Sequence, residues 1–153
     1  MKQMIKIRTI GPFAVEGPEG QTLTPKGAKA CALLSILALT DGKARPRRFL
    51  EAKLWSGRAP EQAGQSLRQE LTQIRRALGV FSDCFVVDRL TAKLDLEKVV
   101  VDFDALADGA DDDGRELLEG LFVRDPAFEA WLSEVRDAFE RRKTAIAARS
   151  KGL

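Results

Sequence analysis

The front of the chain alternates apolar and polar positions with a period of two. Residues 4–10 (Met-Ile-Lys-Ile-Arg-Thr-Ile) set β-branched residues against polar ones, which predicts a strand. Gly11-Pro12 breaks it. Phe13-Ala14-Val15-Glu16 predicts a second short strand, and Gln21-Thr22-Leu23, past the turn Gly17-Pro18-Glu19-Gly20, predicts a third. Strands this short and this close predict a small antiparallel sheet.

Beyond Pro25 the period becomes helical. Ala30, Leu33, Leu34, Leu37 and Ala38 recur at helical spacing between residues 26 and 40, and Asp41-Gly42 ends the run. Residues 46–55 predict a second helix, with Pro46 in its first turn and Phe49, Leu50, Leu54 and Trp55 facing inward. A loop follows at residues 56–60. Pro60-Glu61 opens a third helix that runs to Leu78 and stops at Gly79. Phe85-Val86-Val87, a polar break, and the alternating Lys93-Leu94-Asp95-Leu96 predict a hairpin over residues 85–96. Strands, then three helices, then a hairpin is the element order of a winged helix-turn-helix. The fold class expected is therefore α+β: an N-terminal antiparallel sheet, the helices, a C-terminal hairpin wing, and a short all-α appendage. The division falls between residues 1–98 and 99–153. In the second part, residues 98–110 predict a strand end and a short helix, and Asp111-Asp112-Asp113-Gly114 predicts a solvated linker or cap. Leu117, Leu118 and Leu121 predict another short helix. Residues 126–149 predict one long helix whose stripe is Phe128, Trp131, Leu132, Val135, Phe139 and Ile146. Such a stripe must be covered, by the winged helix, by a second copy or by further C-terminal domains.

Composition removes several classes of chemistry. The chain has 153 residues, 44% hydrophobic and 31% charged, enough for a core without disulfides or metals. It contains no histidine, the commonest general base and metal ligand. Cys31 and Cys84 stand apart, in no paired motif, and both read as small buried hydrophobes that are not bridged to each other. No glycine-rich phosphate loop and no nucleophile motif is present, so neither an enzyme nor a cofactor is expected. The acid pair Asp102/Asp104 reads as a solvated strand end, and the aspartates at residues 111–113 lack the spacing of a calcium loop. No apolar run is long enough to cross a membrane, and charges interrupt the N-terminal apolar stretch. The expectation is a cytoplasmic protein without membrane contact.

Charge distribution adds a direction. The net charge of +2 divides into +6 over residues 1–97 and −4 over residues 98–153. A basic front with an acidic back points to a polyanionic partner for the front. Projected at about 100° per residue, the third helix turns Leu67, Leu71, Ile74 and Leu78 inward. It turns Gln62, Gln65, Gln69, Thr72, Gln73 and Arg76 outward, with Arg68 and Arg75 flanking on one side and Ser66 and Glu70 on the other. Glutamine can pair with adenine, arginine with guanine, and serine or threonine with either. Gln65, Ser66, Gln69, Thr72 and Gln73 are the candidate base readers of duplex DNA. Arg68, Arg75 and Arg76, with Arg89 and Lys93 of the hairpin, are the candidate phosphate contacts. The competing reading of the same surface is a solvated face on a winged helix that binds protein and not DNA.

Three segments carry a family resemblance. They are Lys26-Gly-Ala-Lys-Ala-Cys-Ala-Leu-Leu-Ser-Ile-Leu-Ala-Leu, Pro46-Arg-Arg-Phe-Leu with Leu54-Trp55, and Gln65-Ser-Leu-Arg-Gln-Glu-Leu-Thr-Gln-Ile-Arg-Arg-Ala-Leu. Together they resemble the OmpR/PhoB-type DNA-binding domain of SARP-type transcriptional regulators. The tail, from Glu116-Leu-Leu-Glu-Gly-Leu to Asp125-Pro-Ala-Phe-Glu-Ala-Trp-Leu, resembles the start of the bacterial transcriptional activator domain, a tetratricopeptide-like helical module. The resemblance implies a third helix in the major groove and a hairpin against the backbone or minor groove. It also implies that Ser56, Gly57 and Arg58 form a loop facing RNA polymerase. Three positions depart from the pattern. Gly64 stands where arginine is frequent, Gln73 replaces another common arginine, and Glu70 puts an acid near the reading face. Fewer cations imply fewer phosphate contacts and modest affinity. One short helix and one long helix do not complete a helical-repeat module. The expectation is therefore either the front of a longer protein or a long helix packed on its own winged helix or on a second copy.

Overall fold

The computed structural model describes residues 4–105 and 114–151. Strands β1 (Ile5–Arg8) and β2 (Ala14–Glu16) pair antiparallel, with Ile7 opposite Val15. Helices follow at α1 (Ala28–Ala38), α2 (Arg47–Leu54) and α3 (Pro60–Leu78), with the two-residue strand β3 (Arg45–Pro46) before α2. A 3-10 turn (Gly79–Cys84) leads to β4 (Phe85–Val87) and β5 (Thr91–Leu94). Strand β6 (Val99–Val101), helix α4 (Asp102–Ala105) and the long helix α5 (Pro126–Lys151) complete the order. The fold is the winged helix-turn-helix that the pattern implies.

The helices form for different reasons. Every residue of α1 from Ala30 to Ala38 is buried, so α1 is apolar all round and serves as the axle of the core. Its one buried hydroxyl, on Ser35, donates to the Cys31 carbonyl at 2.8 Å. The chain leaves α1 through Asp41 and Gly42, both at positive φ. α3 buries Ala63, Leu67, Leu71, Ile74 and Leu78, one stripe at steps of three and four. Pro60 sits at its start, where the missing N–H costs nothing. Gly79, at φ +56°, ends it. Both cysteines are buried and unbridged. Burial, then the Glu70 charge, pushes the Cys31 thiol up to about 11; burial, then Asp83, does the same for Cys84.

Four features differ from the sequence reading. The front sheet has the order β2-β1-β6, and β6 joins β1 in parallel, so the N-terminal sheet is mixed rather than purely antiparallel. The third strand expected at residues 21–23 makes a single bridge, Thr22 to Glu16. The Thr24 hydroxyl accepts from the Val15 amide at 3.0 Å beside it and takes the place of continued pairing. The short helix expected around Leu117, Leu118 and Leu121 is absent. That segment bonds instead to the Thr9–Pro12 corner: the Leu118 amide donates to the Thr9 carbonyl and the Glu119 amide to the Gly11 carbonyl. Leu117 and Leu118 are fully buried there, so tertiary pairing overrides the helical spacing. Asp102 is no solvated strand end. Its carboxylate accepts from the Thr9 amide, the Thr9 hydroxyl and the Ile10 amide at 2.6–3.0 Å, and so closes the end of β1. The aspartates at residues 111–113 lie outside the described residues.

The second sheet has the order β3-β5-β4 and makes the wing. Asp88 fixes its turn by accepting from the Leu90 and Thr91 amides at 2.8 and 2.7 Å, which holds its carboxyl below the usual range. α5 packs on α2, and one continuous core runs from Ile5 to Phe139. The stripe of α5 is covered within the protomer. Phe128, Trp131, Leu132 and Phe139 are buried, Val135 and Ile146 partly so. Phe128 stacks on Trp131 at 5.4 Å. No described helix is long and apolar enough to cross a membrane.

Candidate nucleic-acid interface

α3 presents three rows of side chains to the outside. Its crest carries Gln65, Gln69, Gln73 and Arg76, all exposed. The three glutamines form no side-chain hydrogen bond with any described residue, so their amide groups are free to meet a ligand. On the side of the wing lie Arg68, Thr72 and Arg75, spaced i, i+4 and i+7. On the side of α1 lie Ser66 and Glu70.

The outer two rows hold the surprises. The Thr72 hydroxyl donates to the Arg68 carbonyl at 3.1 Å, which leaves it able only to accept. Together with its place in the wing-side row, this sets Thr72 apart from the other base-reading candidates. Ser66 is half-buried, and its hydroxyl accepts from Arg58 at 3.0 Å. The loop and α3, expected from the sequence to meet different partners, are thus joined side chain to side chain. Glu70 turns toward the start of α1 and lies beside Gly27. Burial pushes its carboxyl above the usual glutamate range, against the pull of Lys29. Lys29 sits 4.9 Å over the Trp55 ring, and burial, then repulsion from Arg58, lowers its pKa.

Cations divide between the crest and its wing side. Arg76 lies with Gln69, Glu70, Thr72 and Gln73 in a shallow depression next to the Thr22–Gly27 segment. Arg68 and Arg75 open instead onto a cleft of about 290 Å³ toward the wing, where Arg47 and Val87 complete the wall. Neither Arg89 at the exposed wing tip nor Lys93 on the outside of β5 lines that cleft. Arg47 is the residue the sequence reading missed. Its only signal was the basic cluster Arg45-Pro-Arg-Arg at the start of α2, and its nearness to Arg68 depends on how α2 and the wing pack.

The loop between α2 and α3 is held from behind. Ser56 donates its amide and its hydroxyl to the two carboxylate oxygens of Asp125, at 2.8 and 2.7 Å. The same carboxylate accepts from the Ala127 amide at 2.9 Å and so caps the start of α5. Burial works against the Asp125 charge, but the Ser56 hydroxyl and the surrounding amides outweigh it and hold the carboxyl below the usual range. Of the loop candidates, Ser56 is therefore committed to α5, Arg58 reaches Ser66, and Gly57 is exposed without a side chain. Among the described residues no group of three or more Cys, Asp or Glu side chains gathers as a cation site.

The fold has a solved counterpart. EmbR of Mycobacterium tuberculosis, in a structure of its complex with a low affinity phosphopeptide, superposes with a TM-score of 0.73 over 95% of this chain. Sequence identity is 15%, so the likeness concerns the fold. This chain spans 44% of that chain, less than half its length. No family model and no curated protein matches the sequence.

Proposed function

We propose that this chain is a non-catalytic, sequence-specific DNA-binding transcription regulator of the SARP type, with an OmpR/PhoB-type winged helix over residues 1–98. In this reading α3 enters the major groove. Gln65, Gln69 and Gln73 read base edges, helped by Ser66 and Thr72, and the wing lies on the backbone or in the minor groove with Arg89 and Lys93. The observation that carries it is the crest of α3: three unbonded glutamines in a row with Arg76 among them, and Arg68 and Arg75 along the wing side, on the helix that follows the turn of a winged helix. The appendage, residues 99–153, serves as the base for further C-terminal helices. Gly57 and the outer edge of its loop are the surface for RNA polymerase, since Ser56 is taken up by Asp125.

Glu70 favours a second reading, a winged helix that binds protein and no DNA, because an acid beside the crest repels phosphate. A binding titration on matched and scrambled duplexes at several salt concentrations separates the two. The regulator reading expects affinity that falls linearly with salt on logarithmic axes and a preferred sequence. Absence of salt-dependent duplex binding at low ionic strength transfers the assignment to the protein-binding reading.

A further inference from the structure

We propose that Arg58 is a positioning residue for base reading: it fixes the Ser66 hydroxyl as a donor, so that the preference at one base pair is set from the loop between α2 and α3 and, through Asp125, from the appendage. The inference rests on the DNA-binding reading above. It adds to that reading a polarity, a residue outside α3 and a route.

A free hydroxyl both donates and accepts, so it discriminates poorly between base edges. Neither hydroxyl on the outside of α3 is free in that sense. Thr72 gives its proton to the Arg68 carbonyl at 3.1 Å and is left to accept. Ser66 is the opposite case. Its oxygen accepts from Nη1 of Arg58 at 3.0 Å, and among the described residues its proton has no acceptor. A guanidinium has no lone pair to offer, so Arg58 never takes that proton. Its charge also repels a second donor from the same oxygen. What remains for a ligand is the proton. The base edges that suit it carry acceptors: N7 of a purine, O6 of guanine or O4 of thymine. The amino group of cytosine does not.

Nothing else claims the Arg58 charge. Among the described residues it makes no ion pair. Its backbone is placed by the loop, since its amide donates to the Trp55 carbonyl at 3.1 Å and closes a turn over residues 55–58. Ser56, inside that turn, is bonded to Asp125 through its amide and its hydroxyl at 2.8 and 2.7 Å. Asp125 in turn accepts from the Ala127 amide at the start of α5. The route from base edge to appendage therefore runs Ser66, Arg58, Ser56, Asp125, and every crossing between segments is a hydrogen bond.

The test measures the affinity of the full chain for its preferred duplex with each of the four base pairs placed in turn at each position. Ser66→Ala should lose about tenfold of preference at one position, which marks the pair that Ser66 reads. Arg58→Ala should relax the preference at that same position by a similar factor, because the freed hydroxyl then accepts from a cytosine amino group. The preference assigned to Gln69 should hold. Arg58→Lys keeps a cationic donor and should restore the wild-type preference. Asp125→Ala should relax the same position about threefold or more, and Ser56→Ala, which removes only the hydroxyl link, serves if Asp125→Ala folds poorly. If Arg58→Ala instead weakens all duplexes equally and flattens the salt slope by about 1, Arg58 holds a phosphate and the inference is wrong while the DNA reading stands. If the preference responds to Arg58→Ala but to neither Asp125→Ala nor Ser56→Ala, the route to the appendage is wrong. A wild-type chain without salt-dependent duplex binding overturns both readings.

Discussion

α3 and α5 are the two long helices of the molecule, and they agree on the inside while differing on the outside. Each buries a stripe of large apolar side chains: Leu67, Leu71, Ile74 and Leu78 in one, Phe128, Trp131, Leu132 and Phe139 in the other. Outward, α3 shows glutamine, threonine and arginine, whereas the first half of α5 shows Glu129, Glu134 and Asp137. A polyanion is attracted by the first face and repelled by the acidic first half of α5, beyond which Arg141, Arg142 and Lys143 turn that helix basic. The apolar stripe thus says only that a helix packs; the polar face says what it packs for, or what it leaves open.

The comparison can be broken from its buried side first. Trp131→Ala should cost about 3–5 kcal/mol in chemical denaturation, since the indole is 6% exposed and stacked on Phe128. A loss under about 1 kcal/mol would mean that α5 is not part of the core. Asp125→Ala comes next, at about 1–3 kcal/mol, because it strips a cap from α5 and leaves the Ser56 amide and hydroxyl unpaired. The pH dependence has a definite sign. A carboxyl held below its ordinary range contributes its full stability above that range and loses it as pH falls through the lowered folded value. An acid titration of stability should therefore be shallower in Asp125→Asn than in the wild type.

The outer faces are tested by binding. Gln69→Ala should cost about 1–3 kcal/mol on the preferred duplex, relax preference at one base pair and leave the salt slope unchanged. If it changes nothing while binding persists, the crest residues have been misassigned. The smallest effect belongs to Glu70→Gln, which should tighten duplex binding by a few tenths of a kcal/mol at neutral pH. Because burial raises the Glu70 pKa, wild type and variant should converge as pH falls and Glu70 takes up its proton. Equal affinities at every pH would show that Glu70 faces no phosphate.

Much of this architecture follows from local pattern. The stripe Leu67–Leu71–Ile74–Leu78, the stop at Gly79 and the hairpin alternation each depend on neighbours a few residues apart, and the elements stand where those patterns put them. What the pattern could not show depends on distant partners. β6 joins β1 across more than ninety residues, and nothing in Val99-Val100-Val101 states a direction. Leu117, Leu118 and Leu121 have helical spacing, but the open edge at Thr9–Pro12 offers their backbone better bonds. The same limit applies to the interface. The crest belongs to one helix and was legible. The arginine cleft joins α2 to α3, and the Ser56–Asp125 pairing joins residues 69 apart, so both emerge only from packing.

That last pairing also sets a clock on the loop. An amide on an exposed turn ordinarily exchanges its hydrogen with water as soon as it meets catalyst, yet the Ser56 amide is donated to a carboxylate that also secures the first turn of α5. Its hydrogen can leave only when that shared anchor lets go. The Ser56 and Ala127 amides, on opposite sides of one side chain, should therefore exchange at similar slow rates and accelerate together in Asp125→Asn, a kinetic signature of two distant segments opening as one unit.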